Sequence, residues 1–309
     1  MRFFVIHGPQ SYRSRNFWPQ INTDDLTCEP ICVHLCQSVA SDPEPGMGVA
    51  PVAAFGLVEN MAAQTQLTWY GQSAYKIVTP AGNVLLIDPW ITNPKNPNGE
   101  ADLKALDRVD LILLTHGHSD HVGNLVEIGK KTGAKLVAGL DLARAVTSVL
   151  GYPGDQAQMD TTGLCGGEVP LLQGEITVTL TPAFHGGGIA KGDDSLPVFA
   201  GQPSGMIVAI RDGVTFYHTG DTDVFSDMSL IGRFHKVDVM LACIGDHFTM
   251  GPERAAFATK LVQPRTVIPN HYGTFPVLTG TPEAFAKALK KEGCTAEMRE
   301  MQVGETLDL

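Results

Sequence analysis

What this chain of 309 residues does without already narrows its function. No stretch approaches the ~20 consecutive apolar residues that a membrane-crossing helix needs, so no membrane partner is expected. Lysine and arginine number 22 against 33 aspartates and glutamates, a formal net charge of −11, and the basic residues nowhere form a run. An acidic body without a basic patch repels phosphate backbones, which disfavours nucleic acid as a partner. Cysteine is scarce: the six are Cys28, Cys32, Cys36, Cys165, Cys243 and Cys294, and nothing in their placement resembles a disulfide framework. Cys243 lies in an apolar run where a free buried thiol is expected. Cys28, Cys32 and Cys36 would share one face of a helix, but no ligand pattern surrounds them.

Residues 1–60 lack lysine altogether, lack periodicity, and are broken by Pro43, Pro45, Gly46, Gly48 and Pro51. The opening MRFFVIHGP has too short an apolar stretch for an ordinary secretory signal. The segment VAPVAAFGLVENMAA is apolar enough to act as a degenerate signal, though it has no positively charged lead. The favoured reading is an N-terminal extension over residues 1–62, poorly ordered, followed by one large domain over residues 63–309. A cytoplasmic location goes with that reading, and a periplasmic one with the signal reading.

From Leu67 onward the pattern is regular. LTWYG, SAYKIVT and VLLIDPW read as short strands, the last two joined by the turn PAGN. A short helix is expected over 102–107, a buried strand over 110–115, a helix over 122–132, a strand at KLVAG and a helix over 141–150. The second half repeats the alternation. ITVTLTPAFH ends in a histidine and three glycines, and MIVAIRDG with VTFYHTGD form a hairpin turning at Asp212-Gly213. VDVMLACIGDH and TVIPNHYG are strands that run into polar loops. PERAAFATKLV opens with Pro at a first helical turn, TPEAFAKALKKEG is a helix capped by Thr281 and ended by Gly293, and a closing strand falls near 295–301. Two comparable halves of strands and helices imply two sheets covered outside by helices, a four-layer α/β arrangement.

Chemistry-bearing side chains gather where strands end. His116, His118, Asp120 and His121 crowd one tight loop, HGHSDH; His116 and His118 are spaced to converge on one ion, with Asp120 and His121 facing a second. One loop cannot complete two metal shells. His185, Asp221 and His271, each directly after a strand, supply the remainder. The set is rich in nitrogen and oxygen and contains no thiolate, which suits Zn2+ and tolerates Mn2+ or Fe2+. Chance would have to place five of the ten histidines at strand ends, three of them within six residues and beside an aspartate.

HGHSDH matches the HxHxDH signature of the metallo-β-lactamase superfamily, and LLIDPW, with Asp88, resembles that superfamily's first motif. His185, Asp221 and His271 fall in the order of its later motifs, so the resemblance spans roughly residues 67–309. GQSAYKI, THGHSDHVGN, HTGDT, GDHFTMGPERAA and PNHYGTF resemble the subgroup of metal-dependent hydrolases related to ascorbate-6-phosphate lactonase. The resemblance implies an αββα sandwich with its site at one edge. It implies that His116, His118 and His185 hold one zinc, that Asp120, His121 and His271 hold a second, and that Asp221 bridges them. Asp88 is then expected to steady a ligand histidine or the HGHSDH loop from behind.

The expected activity is hydrolysis of a small ester, lactone or phosphodiester by a hydroxide shared between two ions. Asp120 would orient that hydroxide as well as ligate. His247 is expected to contact the substrate or protonate its leaving group, and His218, three residues before Asp221, is a weaker candidate for a supporting role. The substrate is expected to be small and anionic or polar. A nuclease of the same superfamily is the competing enzyme reading, which the acidic composition opposes. A non-catalytic metal-binding module is the competing reading of another class, which the complete ligand set opposes. Nothing in the sequence excludes a homo-oligomer.

Overall fold

The computed structural model describes residues 64–192 and 195–309. The expectations for residues 1–62, including Cys28, Cys32 and Cys36, lie outside the described residues. Among the described residues sixteen strands form two seven-stranded sheets and one two-stranded ribbon. The first sheet contains β1 (Gln66–Trp69), β2 (Tyr75–Val78), β3 (Val84–Ile87), β4 (Leu111–Leu114), β5 (Lys135–Gly139) and β6 (Thr162–Gly163). The second contains β7 (Glu168–Leu171) and β8 (Ile176–Pro182), while β9 (Gly188–Ile189) and β10 (Val198–Phe199) make the ribbon. The second sheet continues with β11 (Ser204–Ile210), β12 (Thr215–His218), β13 (Val239–Cys243), β14 (Thr266–Asn270) and β15 (Glu297–Met298). The last strand, β16 (Thr306–Asp308), returns to the edge of the first sheet beside β1.

Alternation along the strands shows what each face meets. Leu85 and Ile87 of β3, with Leu111 and Leu113 of β4, belong to the core between the sheets, together with Val178, Met206, Val208 and Phe216 from the second sheet. The intervening Leu86, Ile112 and Leu114 point the other way, into a separate cluster. That cluster is closed by residues of α1 (Gly99–Ala105), α3 (Leu125–Thr132) and α4 (Leu140–Ala145), with a single turn, α2 (Ser119–Val122), lying just before α3. On the outside of the second sheet lie α5 (Met228–Phe234), α6 (Pro252–Val262) and α7 (Pro282–Glu292), which bury Ile231, Ala255, Ala258, Phe285 and Leu289. This is a four-layer αββα sandwich. Strands such as LILL carry no polar face because both of their faces are covered.

Local chemistry explains the punctuation. Asp212 adopts φ +58 in the β11–β12 turn, a left-handed conformation an aspartate tolerates, and Gly213 donates back to the Ile210 carbonyl. Thr281 Oγ1 accepts from the Ala284 N–H at the start of α7, and Gly293 ends that helix at φ +70. Three expected elements differ. The helix placed at 102–107 runs over Gly99–Ala105. The one placed at 122–132 is interrupted, α2 giving way to α3 at Gly123 and Asn124. The one placed at 141–150 becomes a π-helical turn after Ala145. Cys243 is a free thiol buried in β13. Among the described residues no helix is long and apolar enough to cross a membrane.

Strand direction sets up the site. β3, β4 and β5 are mutually parallel, so the residues after β3 and β4 emerge at one end of the first sheet. In the second sheet β8 and β12 both run antiparallel to β11, and β12, β13 and β14 are parallel, so β8, β12 and β14 finish at one end too.

Candidate metal centre

Loops leaving β4, β8, β12 and β14 bring their ligand-type side chains together in two groups: His116, His118 and His185, and Asp120, His121, Asp221 and His271. Within each group the donor atoms all lie within 4.8 Å of one another. In the first group His118 Nδ1 sits 3.0 Å from His116 Nε2 and 3.1 Å from His185 Nε2. Asp221 stands between the groups. Its Oδ2 lies 2.9 Å from His271 Nε2 and 3.3 Å from His121 Nε2, and also 3.6 Å from His185 Nε2 and 3.9 Å from His116 Nε2.

The reverse sides of the imidazoles are held. Asp88, fully buried, accepts from the Thr115 N–H at 2.9 Å and the Thr115 hydroxyl at 2.7 Å, and lies 2.8 Å from His121 Nδ1. Thr115 Oγ1 in turn lies 3.0 Å from His116 Nδ1. One carboxylate at the end of β3 therefore anchors the neighbouring strand end and aims His121. Asp88 does so at φ +44 and His271 adopts φ +54, left-handed conformations for non-glycine residues of the kind that cluster at functional sites. Gly245 is required beside His271, since a Cβ there would stand 2.0 Å from the His271 carbonyl oxygen.

The electrostatics divide the two groups. Burial first, and then the charge of His121, holds His116 well below the ordinary histidine pKa; burial likewise lowers His118 and His185. Held neutral in this way, each of the three imidazoles can offer a ring lone pair. In the second group burial opposes charge, yet Asp221, Asp120 and Asp88 together outweigh it and hold His121 well above the ordinary value. His271 is raised to about 9 by Asp221 and Asp120 against the same burial penalty. Burial would raise Asp120 and Asp221, but His121 and His271 pull both below the usual carboxylate range.

Buried polar atoms normally find partners. Here His121 Nε2, Asp221 Oδ1 and both ring nitrogens of His271 have no hydrogen-bond partner among the described residues. Unpartnered buried atoms on His121, Asp221 and His271, converging with the other four nitrogen- and oxygen-bearing side chains, are the chemistry of a cation site, and the two groups of donors could each take a divalent ion.

The other candidates fall elsewhere. His218 is fully buried, its Nδ1 accepting from the Gly220 N–H at 3.0 Å and its ring edge-on to Tyr75. His247 is exposed at φ +56, with its ring packed edge-on against Phe248. Phe248, not His247, lines the cavity over the donors. Among the residues bonded to the donors, sequence reasoning missed Gln72. Gln72, buried at φ +47, donates from Nε2 to Asp120 Oδ2 at 2.9 Å, while its backbone carbonyl accepts from His271 N–H and Trp69 Nε1. The left-handed glutamine leaves no signal in the sequence beyond its place in GQSAYKI.

Comparison with known proteins follows this geometry. Residues 83–272 match the model of the β-lactamase superfamily domain. A protein of Thermodesulfovibrio yellowstonii named a metal-dependent hydrolase is 50% identical over 260 residues, 84% of this chain and 95% of its own length. Another so named, from an Anaeromyxobacter species, is 48% identical over 243 residues, 78% of this chain and 86% of its own. Among solved structures, Igni18, described as a metallo hydrolase from Ignicoccus hospitalis, is 35% identical at a TM-score of 0.68, covering 80% of this chain and 99% of that one.

Proposed function

Because the chain belongs to the metallo-β-lactamase superfamily, and to its metal-dependent hydrolases, we propose that it uses two divalent ions, zinc by preference, to hydrolyse a small ester, lactone or phosphodiester. The observation that carries this reading is the convergence of seven donors, three of which, His121, Asp221 and His271, carry buried atoms without a partner. In it, His116, His118 and His185 hold one ion, Asp120, His121 and His271 the other, and Asp221 serves both. Ions so held would supply a hydroxide nucleophile near neutral pH and a sink for the negative charge of the transition state.

The chain's own residues prepare the rest. Asp88 fixes which nitrogen of His121 faces the centre, because Nδ1 is engaged behind it. Asp120 lines the cavity as an ionised carboxylate with one oxygen tied to Gln72. An ionised carboxylate only accepts hydrogen bonds, so it is suited to orient an attacking water. Against a nuclease stands the cavity itself, whose described lining residues include no lysine or arginine to meet a phosphate backbone.

The test is elemental analysis of the purified protein followed by a panel of lactones, esters, thioesters and phosphodiesters. About two ions per chain, with turnover lost on chelation and restored by zinc, is the expected result. A protein that takes up no metal would overturn the proposal.

A further inference from the structure

The cavity above the donors has a volume of about 700 Å³, far more than a lactone ring or an acetyl group fills. Its floor is polar, made of the donor side chains. Its wall is different. Trp90 and Phe275 stand in it with ring centroids 5.9 Å apart and planes 23° from parallel, and Phe248, 56% exposed, lines the same cavity. Trp90 is locked in place from behind: a Cβ on Gly123, between α2 and α3, would lie 2.1 Å from Trp90 Cδ1, so the indole occupies the space a side chain there would take. Apart from the donors, the polar side-chain groups on the described wall are the hydroxyls of Ser119 and Ser195 and the indole N–H of Trp90. Lys95, in the loop after β3, is directed to the Tyr272 carbonyl at 2.8 Å and lies over the Tyr272 and Trp69 rings instead.

From this wall we infer the substrate class: a neutral ester or lactone whose non-reacting part is a flat apolar group, an aryl ring in the simplest case, stacked against Trp90 and Phe275. The inference rests on the hydrolase reading of the floor. A planar apolar group gains both burial and ring stacking on such a wall. A carboxylate or phosphate on the same part of the substrate would lose its water with no cation on the described wall to replace it. This proposed substrate class departs from the expectation of an anionic or polar substrate drawn from the sequence. In the reaction water adds across the acyl C–O bond. A new C–OH bond forms at the carbonyl carbon, the bond to the alkoxy oxygen breaks, and that oxygen leaves with a proton, giving a hydroxy acid from a lactone.

The test uses the metal-loaded full chain and γ-butyrolactones that differ only at the γ carbon, carrying phenyl, methyl or carboxylate. The reacting group is then constant. Expected is a kcat/KM for the phenyl lactone at least about tenfold above the other two. In parallel, the unreactive γ-lactams with the same three substituents are titrated calorimetrically, and the phenyl lactam is expected to bind at least about tenfold tighter. Both ratios should fall towards one in Phe275→Ala and in Trp90→Ala, with metal content checked in each. Phe248→Ala serves if Trp90→Ala does not fold. Equal binding of the three lactams, or preference for the carboxylate, overturns the inference even if every lactone is hydrolysed. Absence of all turnover, with the phenyl lactam still preferred, instead sinks the hydrolase reading and leaves the apolar recognition standing.

Discussion

Asp120 and Gln72 illustrate how much one hydrogen bond at a carboxylate can carry. Asp120 is both a candidate ligand and the acceptor proposed to orient water, so Asp120→Asn should lower kcat/KM by about two to four orders of magnitude. The metal-free variant should still fold, since the substitution keeps shape, but at a lower melting temperature than the parent, because the pairs of Asp120 with His121 and His271 go with the charge. Steady-state kinetics and a thermal melt check both halves, and parental turnover would remove Asp120 from the mechanism. Gln72→Met keeps length and removes only the donor to Asp120 Oδ2. A hydrogen bond to a charged group is worth about 1.5–3 kcal/mol, so a loss of about ten- to a hundredfold in kcat is expected, with metal content unchanged. If metal is lost instead, Gln72 supports the ligand geometry rather than the orientation of water. His247, turned to solvent beside Phe248, has no part in this proposal.

At the scale of elements, the informative feature is the pairing of two strand ends. β3 and β4 are parallel neighbours, and Asp88 at the end of one bonds both the backbone and the hydroxyl of Thr115 at the end of the other. The HGHSDH loop is thereby tied to the sheet before any ion arrives. Asp88→Ala should weaken metal affinity by about ten- to a hundredfold, as loss of such supporting carboxylates does. Competition with a chromophoric chelator measures it; unchanged affinity would mean that His121 is held by packing alone. The same element pair explains why HGHSDH was legible while its setting was not. The histidines and the aspartate are contiguous in the chain, whereas Gln72, Trp90, Phe275 and Phe248 reach the site from four separate loops. Their spacing carries no period.

For the molecule as a whole, the metal-free centre is an internal set of ion pairs, and its pH dependence has a definite sign. His271 is raised from the ordinary 6.5 to about 9, and His121 is raised as well. A raised group stabilises the fold fully below its unfolded pKa and loses that contribution as pH climbs through the folded value. The metal-free protein should therefore lose thermal stability between pH 6.5 and 8. His116, His118, His185 and His218 are lowered, so their effect is complete once pH passes 6.5. Lys95, lowered by burial to about 8, works in the opposite sense only above that value. The metal-loaded protein should not show the decline, because ions displace those protons. Melts of both forms across the window decide it, and a metal-free melting temperature that rises with pH contradicts the assignment. We also propose that residues 1–60 are dispensable. A chain beginning at Met61 should fold, take up metal and turn over substrate as the full chain does, and loss of solubility in that truncated form would show the contrary.

The sequence by itself determined the layered α/β architecture and named the seven strand-end side chains that the fold gathers as candidate ligands, because periodicity, turn residues and ligand chemistry are local properties that survive without coordinates. It also carried the family, through motifs contiguous in the chain. What only the tertiary structure decided depends on distance between loops far apart in the chain. Such distances placed Asp221 Oδ2 within 3.9 Å of four imidazoles, gave Asp120 its glutamine partner, left His247 outside the cavity wall and set Trp90 against Phe275. They arise from how two sheets pack and which strands run parallel, and no run of residues records that packing on its own.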